Sequence, residues 1–167
     1  TDGVRDIFIG RLAGDSITGG DDNVGIGVSS LGTMITGNES SAFGNNSLKL
    51  STVGPNDSFG YNTLSALTTG VRNVVFGHSA AKTVTDKNDI TAIGNNCLAS
   101  CISAEQTAVG SKSLELLTSG LRNSALGYST FPVLLTGEDN VGFGHGVGLL
   151  TTGNRNTIYG SGSHVVA

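Results

Sequence analysis

A large apolar residue followed by glycine recurs along the whole chain, at Gly10, Gly27, Gly44, Gly60, Gly77, Gly94, Gly110, Gly127, Gly144 and Gly160. The steps between them run 17, 17, 16, three times over. The preceding residues are Ile9, Ile26, Phe43, Phe59, Phe76, Ile93, Val109, Leu126, Phe143 and Tyr159, large and apolar without exception. Three steps sum to 50, and at that lag the chain superposes on itself without a gap: Asn23, Asn73 and Asn123 coincide, as do Gly20, Gly70 and Gly120. Gly44-Asn45-Asn46-Ser47-Leu48 falls on Gly94-Asn95-Asn96-Cys97-Leu98. The unit is a coil of 16–17 residues, and a block of three coils is repeated over 1–50, 51–100 and 101–150, with a partial block 151–167. No linker interrupts it, so a single repeat domain over 1–167 is expected.

A period this short cannot hold the pair of helices that repeats of ~34 residues contain. It suits an all-β fold, a parallel β-solenoid of about ten coils, each with two or three short strands joined by tight turns. Val, Ile, Phe and Thr gather before each anchor glycine, where strands favour them. Gly, Asn, Asp and Ser fill the corners. Two residues before the glycine the column is mostly small: Gly25, Ala42, Ser58, Ala92, Ala108, Ala125, Gly142. Alternation along a strand then gives one face a bulky column and the other a small one. The bulky column is expected in the core. The small one either fills a narrow coil interior or lets two chains approach closely. Further on, Leu31, Leu48, Leu64, Leu98 and Leu114 form a column four residues after the glycine. Stacked at the strand spacing, ten coils make a rod of roughly 48 Å.

Composition removes other classes. Thirteen acids against nine bases give a net charge of −4, no footprint for nucleic acid or an anionic membrane. No apolar run approaches the ~20 residues that span a bilayer. The 26 glycines do not fall at every third position, as collagen requires. The chain opens at Thr1 without a basic-then-apolar leader, and reads as a fragment or processed piece.

Segments such as Asn123-Ser124-Ala125-Leu126-Gly127, Gln106-Thr107-Ala108-Val109-Gly110 and Ile90-Thr91-Ala92-Ile93-Gly94 resemble the N-T/S-A-[apolar]-G repeats of trimeric surface fibres. Such repeats occur in phage and viral tail fibres and, with a shorter period, in the heads of trimeric autotransporter adhesins. The resemblance covers nearly the whole chain and implies a homotrimeric parallel β-solenoid that displays binding surfaces outside the cell, on a virion or on a bacterial surface.

Catalytic and metal chemistry find little footing, and neither an enzyme nor a cofactor is expected. The acids lie mostly at corners, and none is set off by context as half of the carboxylate pair a glycosidase needs; a glycan-cleaving tailspike is the weaker alternative. Gly25-Ile26-Gly27 lacks the Lys-Ser/Thr of a phosphate loop. Cys97 and Cys101 read as buried free thiols, too few for a zinc site. Gly19-Gly20-Asp21-Asp22 hints at a calcium nonapeptide but does not recur. The sequons at Asn38, Asn45 and Asn56 are expected by chance in a chain so rich in Asn and Ser. Thr18, Thr36, Thr52, Thr68, Thr85, Thr118 and Thr136 suggest an ice-binding array, but Ile102 and Leu135 break it.

The column just after the anchor glycine is polar and variable: Arg11, Val28, Asn45, Tyr61, His78, Asn95, Ser111, Tyr128, His145, Ser161. Tyr61 precedes His78 by one coil, and Tyr128 precedes His145. These four are the candidate receptor-facing residues, able to stack on a sugar or peptide. The expected function is an attachment fibre with a cell-surface glycan or protein receptor, or else a spacer shaft within such a fibre. A coil with about three bulky residues is marginal alone. Assembly with like chains is therefore expected, and the fibre resemblance implies a homotrimer, with the Ala42, Ala92, Ala108, Ala125 column near the subunit contact and the Tyr and His residues facing out.

Overall fold

The computed structural model describes residues 5–163; Thr1 lies outside them. It contains ten short strands, each ending one residue before an anchor glycine: β1 (Ile7–Ile9), β2 (Val24–Ile26), β3 (Ser41–Phe43), β4 (Asn56–Phe59), β5 (Asn73–Phe76), β6 (Thr91–Ile93), β7 (Thr107–Val109), β8 (Ser124–Leu126), β9 (Val141–Phe143) and β10 (Thr157–Tyr159). They form one parallel ten-stranded sheet in chain order. The pairing is in register with the repeat, so that Phe43 pairs with Phe59 and Phe59 with Phe76. The chain is a parallel β-solenoid of about nine turns, as the repeat implies, but with one strand per coil. Two isolated bridges, Ser119 to Thr136 and Thr136 to Thr152, are the only other ladder pairing among the described residues.

The rest of each coil is built from tight turns, because residues at fixed places take positive φ. The anchor glycines sit between +123° and +141°. Gly27 shows why the place is closed to other residues: a Cβ there would stand 2.6 Å from the carbonyl oxygen of Gly44, directly above it in the next coil. Four residues after the glycine, Leu31, Leu48, Leu64, Leu98 and Leu114 are left-handed as well, with φ between 49° and 51° for four of them and 47° for Leu64. Each of these side chains is fully buried. The conformation is costly for leucine. The same backbone is tied at both sides by coil-to-coil bonds, for example Leu31 N–H to Ser47 O and Leu48 N–H to Thr63 O.

The core is a narrow cylinder inside the coil. It is filled by the leucine column, by Ile17, Met34, Leu67, Val84, Leu117 and Leu134 seven residues after the glycine, and by the middle residue of each strand. That middle residue is the small column. Ala42, Ala92 and Ala108 are completely buried, and Ala125 is 1% exposed. Where a large ring enters this space, glycine makes room: Phe131 packs at Gly142, and Phe8 at Gly14 and Gly25.

This placement reverses one expectation from sequence. The bulky column lies outside and the small column inside, because leucines from the turn already occupy the interior and leave only methyl-sized space beneath the sheet. The Ala42, Ala92, Ala108, Ala125 column therefore cannot form a subunit contact: its own coil covers it.

A ladder of amides runs beside the sheet, four residues before seven of the ten anchor glycines, with Asp6, Ser40 and Ile90 in the other three places. Asn73 Nδ2 donates to Asn56 Oδ1, Asn140 Nδ2 to Asn123 Oδ1, and Asn156 Nδ2 to Asn140 Oδ1, each at 2.9 Å. Asn56, Asn73, Asn123 and Asn140 also donate across the coil to a backbone carbonyl, as Asn123 does to Gly137 O at 2.9 Å. Ile90 interrupts the column. The longer Gln106 compensates, donating both to Ala104 O (2.6 Å) and to Gly120 O (2.9 Å). No buried side-chain polar atom is left unpartnered among the described residues.

Candidate functional site

Two surface features follow from this architecture: an apolar ladder on the outer face of the sheet, and a polar aromatic column two residues further along each coil. The ladder is the set of residues before the anchor glycines. Ile9, Phe76, Ile93, Leu126, Phe143 and Tyr159 are exposed, Phe143 by 51% and Tyr159 by 64%. Ile26, Phe43, Phe59 and Val109 are half-buried. Phe43, Phe59 and Phe76 form a continuous stack, with ring centroids 4.5 and 4.4 Å apart and planes within 7°. On the same face, two residues earlier, Ile7, Val74 and Val141 are exposed too. Toward the C-terminal end the two rows leave an apolar groove of about 170 Å³ between Thr107, Ser124 and Val141 on one side and Val109, Leu126 and Phe143 on the other. Isolated exposed apolar residues are ordinary in a soluble protein, but a contiguous row along the whole molecule marks a surface that another surface covers.

The aromatic column places the four receptor-facing candidates on the exterior. Tyr61 and Tyr128 are each about half exposed, and His78 and His145 are exposed. Each pair is stacked along the axis: Tyr61 on His78 at 5.3 Å and 21°, Tyr128 on His145 at 5.2 Å and 15°. The stacking of like register positions brings each tyrosine against its histidine; the two pairs stay apart, four coils from one another.

A third column, at the corner five residues before the glycine, carries charge. Arg72 Nε and Nη2 clasp Asp89 at 2.7 and 2.9 Å. Arg122 holds Asp139 at 2.7 and 3.2 Å and also reaches Glu138 at 3.4 Å. Arg5 pairs with Asp22 in the same way. In each case the guanidinium hydrogen bond holds the aspartate below its ordinary carboxylate pKa. A general acid needs the opposite shift, so these carboxylates act as struts between neighbouring coils.

Other candidates take structural places. Cys97 and Cys101 are buried free thiols, Cys97 with its pKa pushed up to about 12 by burial and its Sγ on Ala108 O at 3.2 Å. Among the described residues no three of His, Cys, Asp and Glu come together as a metal site, and no helix is long and apolar enough to cross a membrane. Asn56 of the third sequon belongs to the buried amide ladder. The column threonines turn their hydroxyls onto the next coil: Thr52 donates to Thr68 O (3.0 Å), Thr68 to Thr85 O (2.7 Å) and Thr118 to Leu135 O (2.8 Å). Each of these hydroxyls gives its one proton to a backbone carbonyl of the neighbouring coil.

No family model, curated protein or solved structure matches this chain.

Proposed function

We propose that this chain is a non-enzymatic segment of a homotrimeric attachment fibre, on a virion or a bacterial surface, with a viral or phage tail fibre the favoured setting. The observation that carries the reading is the apolar ladder from Ile9 to Tyr159, outside the coil and in register over ten strands. Copies packed about an axis parallel to the rod would bury it equally in each subunit, as closed cyclic symmetry does. Three-fold closure comes from the likeness to trimeric fibre repeats. This moves the proposed contact from the small-residue column to the opposite face of the same strands. The Tyr–His column lies on the exposed surface, and a trimer offers three copies of any weak receptor site, which raises avidity when they engage together.

The test is binding of the labelled protein to candidate host cells or bacteria. Saturable binding that Tyr61→Ala with Tyr128→Ala reduces supports the reading. A stable trimer that binds no surface supports instead a spacer shaft with recognition elsewhere, a role for which the regular coil-to-coil ladders would suffice.

A further inference from the structure

The column after the anchor glycine contains the same arrangement twice. Asn45, Tyr61, His78 and Asn95 occupy four successive coils, and Ser111, Tyr128, His145 and Ser161 occupy the corresponding four further along. We infer that these blocks are twin subsites for one linear, uncharged glycan laid along the solenoid axis. The inference rests on the attachment reading above and names the class of ligand for it.

The geometry of each block is a raised aromatic pair between shorter polar side chains. Stacking covers one face of each ring, at centroid separations of 5.3 and 5.2 Å. Tyr61 and Tyr128 stay about half exposed despite the stacking, and His78 and His145 are exposed; the other face of Tyr61 turns toward the coil of Asn45, and that of His78 toward the coil of Asn95. Each block thus has two ledges on which the apolar face of a sugar ring can lie against an aromatic ring, with an amide or hydroxyl at the base to meet its hydroxyls. Asn45 uses its Oδ1 on Val28 N–H at 2.9 Å, and its amide nitrogen remains a donor.

Charge selects the kind of chain. From Asn45 onward, this column and the one beside it (Asn46, Asn62, Ser79, Asn96, Lys112, Ser129) contain no acid, one lysine, Lys112, and the two histidines His78 and His145. A sialylated or sulphated chain would need a basic track; an uncharged one needs hydroxyl partners and ring faces, which are present. Spacing selects a polymer. The interval from Tyr61 to Tyr128 is four coils, about 19 Å at the strand separation. Two like subsites in register suit a ligand that repeats along its own length, whereas a folded protein surface offers no such repeat.

The experiment uses a printed array of linear neutral glycans graded in length (glucans, chitooligosaccharides and poly-N-acetyllactosamine), with polysialic acid and heparan sulphate as anionic comparators, followed by titration calorimetry on the chains that bind. A neutral chain long enough to bridge both blocks should bind on the order of 10²-fold tighter than a short one of the same sugar. Tyr61→Ala or Tyr128→Ala alone should remove that advantage, and both together should abolish binding, with circular dichroism unchanged because the rings are exposed. Binding to anionic chains only, no preference for length, or indifference to the double variant would overturn the inference. If the array is silent while the protein still binds cells, the glycan inference falls and attachment stands; if cells are not bound either, both fall.

Discussion

The side-chain amide of Asn140 donates to Asn123 Oδ1 at 2.9 Å, and the backbone N–H of Asn140 meets the same oxygen at 3.1 Å. One buried oxygen therefore holds the next coil twice. Asn123 in turn donates to Gln106 Oε1 and to Gly137 O. Register between coils is fixed here by side chains as much as by the three-residue strands.

Replacing Asn123 by Leu removes one acceptor and two donors at once and leaves Gly137 O and the backbone N–H of Asn140 without these partners, while the side-chain amide of Asn140 keeps its bond to Gly153 O. Each such group costs about 1–3 kcal/mol, so a loss of at least ~2 kcal/mol is expected in urea unfolding. The natural break at Ile90 does not predict a milder outcome, because there Gln106 covers Ala104 O.

The anchor glycines give a paired prediction. Gly127 has φ of +130°, and a Cβ there would collide with the carbonyl oxygen of Gly144. Gly127→Ala should cost about 2 kcal/mol or more. Gly19 has open space around its Cβ position and no positive φ, so Gly19→Ala should be neutral or slightly stabilising. Equal denaturation midpoints for the two variants would refute the account of the ladder.

Period, the strand before each anchor glycine, parallel stacking and the glycine ladder were legible in the sequence, because a fixed lag of 16–17 residues forces like residues into columns. The exterior position of Tyr61, His78, Tyr128 and His145 was legible too, from a column whose polarity varies. The direction of the strand faces was not. Alternation separates Ala108 from Val109 but does not say which turns inward, and the usual assignment of the larger residue to the core misleads here. The available signal was the leucine column four residues after the glycine, which already fills a coil this narrow. Leucine at positive φ has no sequence signature, so the columns of Leu31 and Leu48 did not reveal that each coil holds one strand instead of two or three. With Ala108 inside, Ala108→Arg should unfold the coil rather than dissociate subunits, seen as loss of the β-sheet signal in circular dichroism.

The Arg–Asp struts predict a modest acid and salt sensitivity. Asp22, Asp89 and Asp139 have folded-state pKa values below their unfolded ones. Their contribution is therefore complete above the ordinary carboxylate pKa of about 3.9 and fades as pH falls through the lower folded values. All three pairs are solvent-exposed, so the effect should be small and screened by salt. Arg72→Ala should lower Tm slightly in low salt and leave it unchanged in high salt. A large, salt-independent loss would assign Arg72 another role.

The most direct test of the central claim, that the outer apolar ladder is covered by other copies of the chain, is the mass in solution by sedimentation equilibrium, measured beside Leu126→Asp. Leu126 lines the apolar groove and is 40% exposed, so its replacement leaves the coil interior intact. The account predicts three times the 16.9 kDa chain mass for the unaltered protein and a shift toward the single chain for the variant. A stable, monodisperse 16.9 kDa monomer at micromolar concentration, with Phe59, Leu126 and Phe143 left in water, would contradict it.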